Sequence, residues 1–95
     1  MQEKELEQKL VIAVKRLGGL ALKLTSFGYV GMPDRLALLP DGIAVFIEVK
    51  APHKTPSPLQ LKRHRMLRRL GFKVYVLNSE KGIEAILEDY ANETT

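Results

Sequence analysis

Cysteine and tryptophan are both absent from this 95-residue chain, and it has only two histidines. Without cysteine there is no disulfide and no thiolate chemistry, which suits a reducing compartment. Two histidines leave too few imidazole ligands for a His-rich zinc site. The lack of tryptophan and the 6% aromatic content give no signal for stacking on unpaired bases. No apolar run approaches the roughly 18 residues of a membrane span. The opening MQEKELEQK has neither the basic start nor the apolar middle of a signal peptide. The expectation is a soluble, cytoplasmic protein with no membrane partner.

What is present is ordinary for a globular chain: 45% hydrophobic and 27% charged residues, a net charge of +4 and a pI near 9.5. The length suits one domain over residues 1–95, with one modest core. The basic excess hints at a polyanionic partner.

Periodicity predicts a helix over Gln2 to Leu17, with Leu6, Leu10, Ala13, Val14 and Leu17 on one stripe, stopped by Gly18-Gly19. Strands are predicted over Leu20 to Thr25, Asp34 to Leu39 and Ile43 to Lys50, with a glycine-rich loop at Ser26 to Pro33 and a Pro40-Asp41-Gly42 turn. Three prolines make Ala51 to Pro58 a loop. Ser57-Pro58-Leu59-Gln60 carries a Ser cap, Pro at the first helical position and Gln three residues after the cap, so a helix runs from there to Leu70. A strand over Phe72 to Leu77 and a last helix with Ile83, Ile86, Leu87 and Tyr90 complete the order α-β-β-β-α-β-α. The fold class is α/β, a mixed sheet flanked by helices.

The turn sets a register. A three-residue loop, two right-handed residues and then Gly42 in the left-handed position, pairs Leu39 with Ile43 and places Asp34 across from Glu48. Opposed residues share a face, and Lys50, two residues past Glu48, shares it too. Two carboxylates and an ammonium then end a surface otherwise made of Leu36, Phe46, Leu38 and Ala44. Facing carboxylates repel, and a divalent cation between them reverses the sign. Mg²⁺ suits one or two carboxylates, and a backbone carbonyl near Val49 would be a further ligand. On the residues alone a second account stands beside this one: a common turn Asp, and a Glu with Lys solvated at a strand end.

Gly31-Met32-Pro33-Asp34 followed by Glu48-Val49-Lys50 resembles the PD-(D/E)XK nuclease signature, and most closely its VRR-NUC branch. That branch combines an acid on a first helix, a G-x-P-D loop, an E-V-K strand end and a Gln on the next helix, in this order along nearly the whole chain. The resemblance implies a restriction-endonuclease-like fold and phosphodiester hydrolysis with Mg²⁺, Mn²⁺ substituting. Asp34 and Glu48 are then similar to the metal ligands and Lys50 to the catalytic lysine. Glu7 is similar to the acid that completes the metal site, directly or through water. Gln60 is similar to the residue that steadies Lys50 or the substrate, although the capping box by itself accounts for a Gln there. Free-standing relatives of phage and bacteria look like homodimers acting on branched DNA such as Holliday junctions. The implied location is a bacterial cytoplasm, or the host's for a phage protein.

The helix from Leu59 to Leu70 is the densest in charge. Leu59, Met66, Leu67 and Leu70 are expected to face inward, with Lys62, Arg65, Arg68 and Arg69 outward and Arg63 snorkelling from the apolar side. Such a helix neutralises phosphates without reading bases, unless its basic side is only a solvated face. Lys54 and His53 lie in the loop beside the proposed site. Ile12, Leu61, Tyr29, Val30 and Met32 look exposed and apolar, which favours a homodimer. The leading expectation is a junction resolvase in DNA repair or recombination. The alternatives are a flap or nicking endonuclease, or a non-catalytic basic module that binds nucleic acid.

Overall fold

The computed structural model describes residues 1–25 and 28–94, so Ser26 and Phe27 of the expected glycine-rich loop lie outside the described residues. The elements are α1 (Glu3–Arg16), β1 (Leu20–Lys23), β2 (Arg35–Leu39), β3 (Ile43–Val49), α2 (Pro58–Arg69), β4 (Lys73–Leu77) and α3 (Glu80–Thr94), with a 3-10 turn at Pro40–Gly42. The order is the expected α-β-β-β-α-β-α.

The four strands form one sheet in the order β1-β2-β3-β4. The first three are antiparallel and β4 joins β3 in parallel, because α2 carries the chain back across the sheet. Leu39 pairs with Ile43, Leu38 with Ala44 and Leu36 with Phe46, the register expected from the turn. The turn reaches it differently: Asp41 (φ 68°) is left-handed along with Gly42 (φ 73°). Asp and Gly are the residues that tolerate consecutive positive φ.

Alternation divides the sheet into two faces. Ala37, Leu39, Val45, Ile47 and Val49 point to one side, where Leu6, Leu10 and Val14 of α1 and Ile83 and Ile86 of α3 close over them. Every one of these side chains is at most 8% exposed, so this face holds the core. On it, Arg35 clamps Glu7 of α1 and donates to the Ala21 carbonyl of β1 at 3.2 Å. The other face carries Leu36, Leu38, Phe46 and Glu48 and receives α2.

The helix α2 begins as its sequence prescribes. Ser57 Oγ accepts from the Gln60 N–H at 3.2 Å, and Gln60 Oε1 accepts from the Ser57 N–H at 2.9 Å. Its inward side is not the expected one. His64 and Leu67 are buried, whereas Leu59 and Leu70 are exposed, Leu70 by 69%. Arg63 does not simply snorkel: it stacks 4.0 Å from the Tyr29 ring centroid and donates to the Val30 carbonyl at 2.8 Å. The 28–32 loop is thereby pressed onto α2. At Gly31 (φ +91°) a Cβ would stand 2.8 Å from the Leu59 side chain, so glycine is required there.

Candidate active site

Pro33 ends the β2 ladder. The register places it opposite Val49, and a proline has no N–H to give. Asp34 fills the gap with its side chain, whose Oδ1 accepts from the Val49 N–H at 2.9 Å. Its own carbonyl accepts from the Leu24 N–H at 2.8 Å. Asp34 is therefore held between β1 and β3, and the Val49 carbonyl, on the same side of β3, is denied a ladder donor by Pro33. On the other side of β3 the Lys50 N–H donates to the Leu77 carbonyl at 2.9 Å, extending the parallel pairing past the strand end. Asp34, Glu48, Val49 and Lys50 are thus set by backbone pairing on both sides.

The electrostatics of the cluster are unfavourable as it stands. Burial pushes the Asp34 carboxyl up, with Glu7 and Glu3 adding to the shift and the Val49 N–H opposing it. Glu48, only 3% exposed, is pushed up to about 7, first by burial and then by Asp34, against the pull of Lys50. Two acids that resist ionisation together make a locus short of positive charge. Among the described residues no three His, Cys, Asp or Glu side chains form a metal cage. The donors on offer are two carboxylates and the Val49 carbonyl. That set fits a hard cation that keeps much of its water, such as Mg²⁺ or Mn²⁺, and does not fit zinc.

The other expected site residues divide. Glu7 is engaged by Arg35, whose Nε lies 3.0 Å from Glu7 Oε1, and its charge helps to push the Asp34 carboxyl up. Glu3, one turn earlier, raises both Asp34 and Glu48 and forms no ion pair among the described residues. The i, i+4 relation puts both acids on one side of α1, and nothing in the sequence distinguishes them until the Arg35 contact is known. Gln60 uses its carbonyl oxygen in the capping box, which leaves only its amide N–H groups for Lys50 or substrate. Reading the sequence also missed His64. Given no role in the sequence pattern of α2, it is fully buried, with Nε2 3.2 Å from Glu48 Oε1.

Of the cations expected to meet nucleic acid, Lys54, Lys62, Arg65 and Arg69 are exposed and form no ion pair among the described residues. Arg68 is exposed as well and has one contact within the fold. It donates at 2.8 Å to the Val74 carbonyl on the open edge of β4, covering an unpaired backbone group. His53 (φ 68°) is left-handed and exposed in the loop that leaves Lys50. A groove of about 710 Å³ runs along α1 and is lined by Glu3, Lys4, Ile12, Lys23 and Arg35 among others. Glu3 joins it to the carboxylate cluster. No helix among the described residues is long and apolar enough to cross a membrane.

No family model matches the chain. Direct comparison is more informative. A protein of Acyrthosiphon pisum secondary endosymbiont phage 1, named "Putative nuclease p44", is 45% identical over 80 residues, 84% of this chain and 86% of that one. A solved structure described as a VRR_NUC domain superposes with a TM-score of 0.87 at 36% identity, over 93% of this chain and 96% of that one. Both likenesses span the Asp34, Glu48 and Lys50 region by their coverage.

Proposed function

The chain belongs to the VRR-NUC nuclease family, and from that membership we propose that it is a metal-dependent endonuclease that hydrolyses phosphodiester bonds in branched DNA, with Holliday junctions as the leading substrate. The observation that carries the metal dependence is the Asp34–Glu48 pair, two acids held together with the Glu48 carboxyl pushed up to about 7. Asp34, Glu48 and the Val49 carbonyl would hold Mg²⁺ or Mn²⁺. Such an ion, when bound, supplies a Lewis acid for the scissile phosphate and lowers the pKa of water.

The chain's own groups have distinct work around it. The Asp34 carboxylate is oriented by the Val49 N–H, so its second oxygen is the one free to ligate. Lys50 follows Glu48 closely enough to pull its carboxyl down, and the same ammonium offsets negative charge that grows on the phosphate during attack. Glu3 is the better placed of the two helix acids to complete the site, because Arg35 occupies Glu7. Lys54, Lys62, Arg65 and Arg69 neutralise backbone phosphates, a role that makes binding strongly salt-dependent and leaves sequence unread. A homodimer matches a substrate with two-fold symmetry. It is supported by apolar side chains left open, among them Ile12 at 51%, Leu20 at 55% and Val30 at 71% exposure.

The deciding experiment incubates the protein with labelled four-way junction, flap and linear duplex, each with Mg²⁺, Mn²⁺ or chelator. Paired, symmetrical nicks in the junction that need the metal are expected. Cutting confined to flaps would replace the resolvase reading with the flap-endonuclease one. Salt-dependent binding without turnover in any metal would leave a binding module.

A further inference from the structure

Glu48 is not the only buried polar side chain in the molecule. His64 is 0% exposed, on the inner side of α2 one turn before Leu67. Its Nδ1 is the one buried side-chain nitrogen or oxygen without a hydrogen-bond partner among the described residues. A buried polar nitrogen left unpaired costs stability, and an apolar residue at this position would avoid that cost. The other ring nitrogen has one partner, Glu48 Oε1 at 3.2 Å. Once Glu48 is ionised, as a cation beside it requires, its carboxylate accepts only, and in that state the contact puts the proton on Nε2 and leaves Nδ1 as a bare acceptor.

We propose that His64 is a positioning residue for the metal site: its Nε2–H grips Glu48 Oε1 from beneath α2 and leaves Oε2 for the cation shared with Asp34. The inference rests on the metal-dependent reading above and goes beyond it, since it assigns a task to a residue outside the acid-acid-lysine set. The geometry suits that task. Glu has three side-chain torsions and would otherwise sample several rotamers beside a repelling acid. One directed hydrogen bond from a rigid ring on a helix removes that freedom before any ligand arrives, as outer partners of metal-binding groups commonly do. His64 also couples α2, with its phosphate-facing cations, to β3.

The test measures Mn²⁺ binding by titration calorimetry, without DNA, for the parent, Glu48→Gln, His64→Leu and His64→Gln, with melting in chelator for each. The parent is expected to bind Mn²⁺ and Glu48→Gln to lose it. His64→Leu should bind about 10–100-fold more weakly while melting at or above the parent's temperature. His64→Gln, whose amide nitrogen reaches the position of Nε2, should bind close to the parent. That rescue is what a packing role would not produce. If His64→Leu does not fold, His64→Asn replaces it, since its amide is too short to reach Glu48, and the same weakening is expected. A folded His64→Leu or His64→Asn that binds Mn²⁺ as tightly as the parent, with Glu48→Gln deficient, overturns the role of His64 and leaves the metal site standing. A parent that binds no Mn²⁺ overturns both.

Discussion

The two faces of the sheet do different work. The face under α1 and α3 is sealed by aliphatic side chains that are nearly all fully buried. The face under α2 holds a buried acid, a buried histidine and several half-open leucines, among them Leu22 and Leu38. The first face removes apolar surface from water at roughly 25 cal/mol per Å² and holds the hairpin flat against two helices. The second face sets two acids against each other at the strand end and covers them incompletely. A chain of 95 residues has one core's worth of apolar side chains. Concentrating them on one side leaves the other free to carry unfavourable charge.

That division can be broken deliberately. The largest effects should come from the α2 side and appear in activity alone. Asp34→Ala and Glu48→Ala are expected to drop junction cleavage by about a thousandfold or more, and Lys50→Ala by about 10²–10³-fold. Melting temperatures in chelator should change little, because the repulsion that each substitution relieves offsets the hydrogen bond that it removes, from the Val49 N–H to Asp34 or between His64 and Glu48. Normal cleavage by all three variants would end the assignment. On the sealed face the pattern inverts: Leu10→Ala should cost about 2–5 kcal/mol in urea denaturation, through the cavity it leaves, with little change in metal affinity of the folded protein.

The pH dependence sharpens the contrast. Folded Glu48 keeps its proton up to about 7, against an ordinary value of 4.5 in the unfolded chain. Between those values the folded state binds more protons, so this group's contribution to stability falls as pH rises. In chelator, Glu48→Gln should therefore be more stable than the parent above pH 7, with the gap closing as pH falls toward 4.5. A gap that does not change with pH would mean that Glu48 is ionised throughout. Below that in size, Ser57→Ala should cost about 1 kcal/mol by removing the cap of α2. Smallest is Leu38→Ala, on the open face and 40% exposed, which should stay within about 0.5 kcal/mol. A much larger loss in a concentration-dependent melt would identify Leu38 as part of a dimer interface.

Much of this was legible in the chain itself where the signal is local. Asp34 meeting Glu48 required only the hairpin register and alternation, and the register held although the turn type did not, Asp41 being left-handed. The start of α2 required only a four-residue pattern. The stripe Leu6, Leu10, Val14 required only helical periodicity. The failures came where two elements meet. The inner side of α2 was expected from its leucines, yet His64 lies there and Leu70 does not. Glu7 was named for the site without Glu3 being weighed, and nothing in the sequence shows that Arg35 reaches Glu7. Arg68 read only as an outward cation, and its bond to the Val74 carbonyl at the β4 edge had no signal in the sequence.

What the amino-acid order determined by itself was therefore the sheet register, the helix limits and the pairing of two acids beside a lysine, because those follow from bonds between residues near in sequence or joined by one tight turn. What only the folded chain decided was which charges are cancelled and which are left over. That depends on the depth and rotation at which α1 and α2 settle on the sheet, and a rotation of one residue about a helix axis exchanges an inward histidine for an outward one.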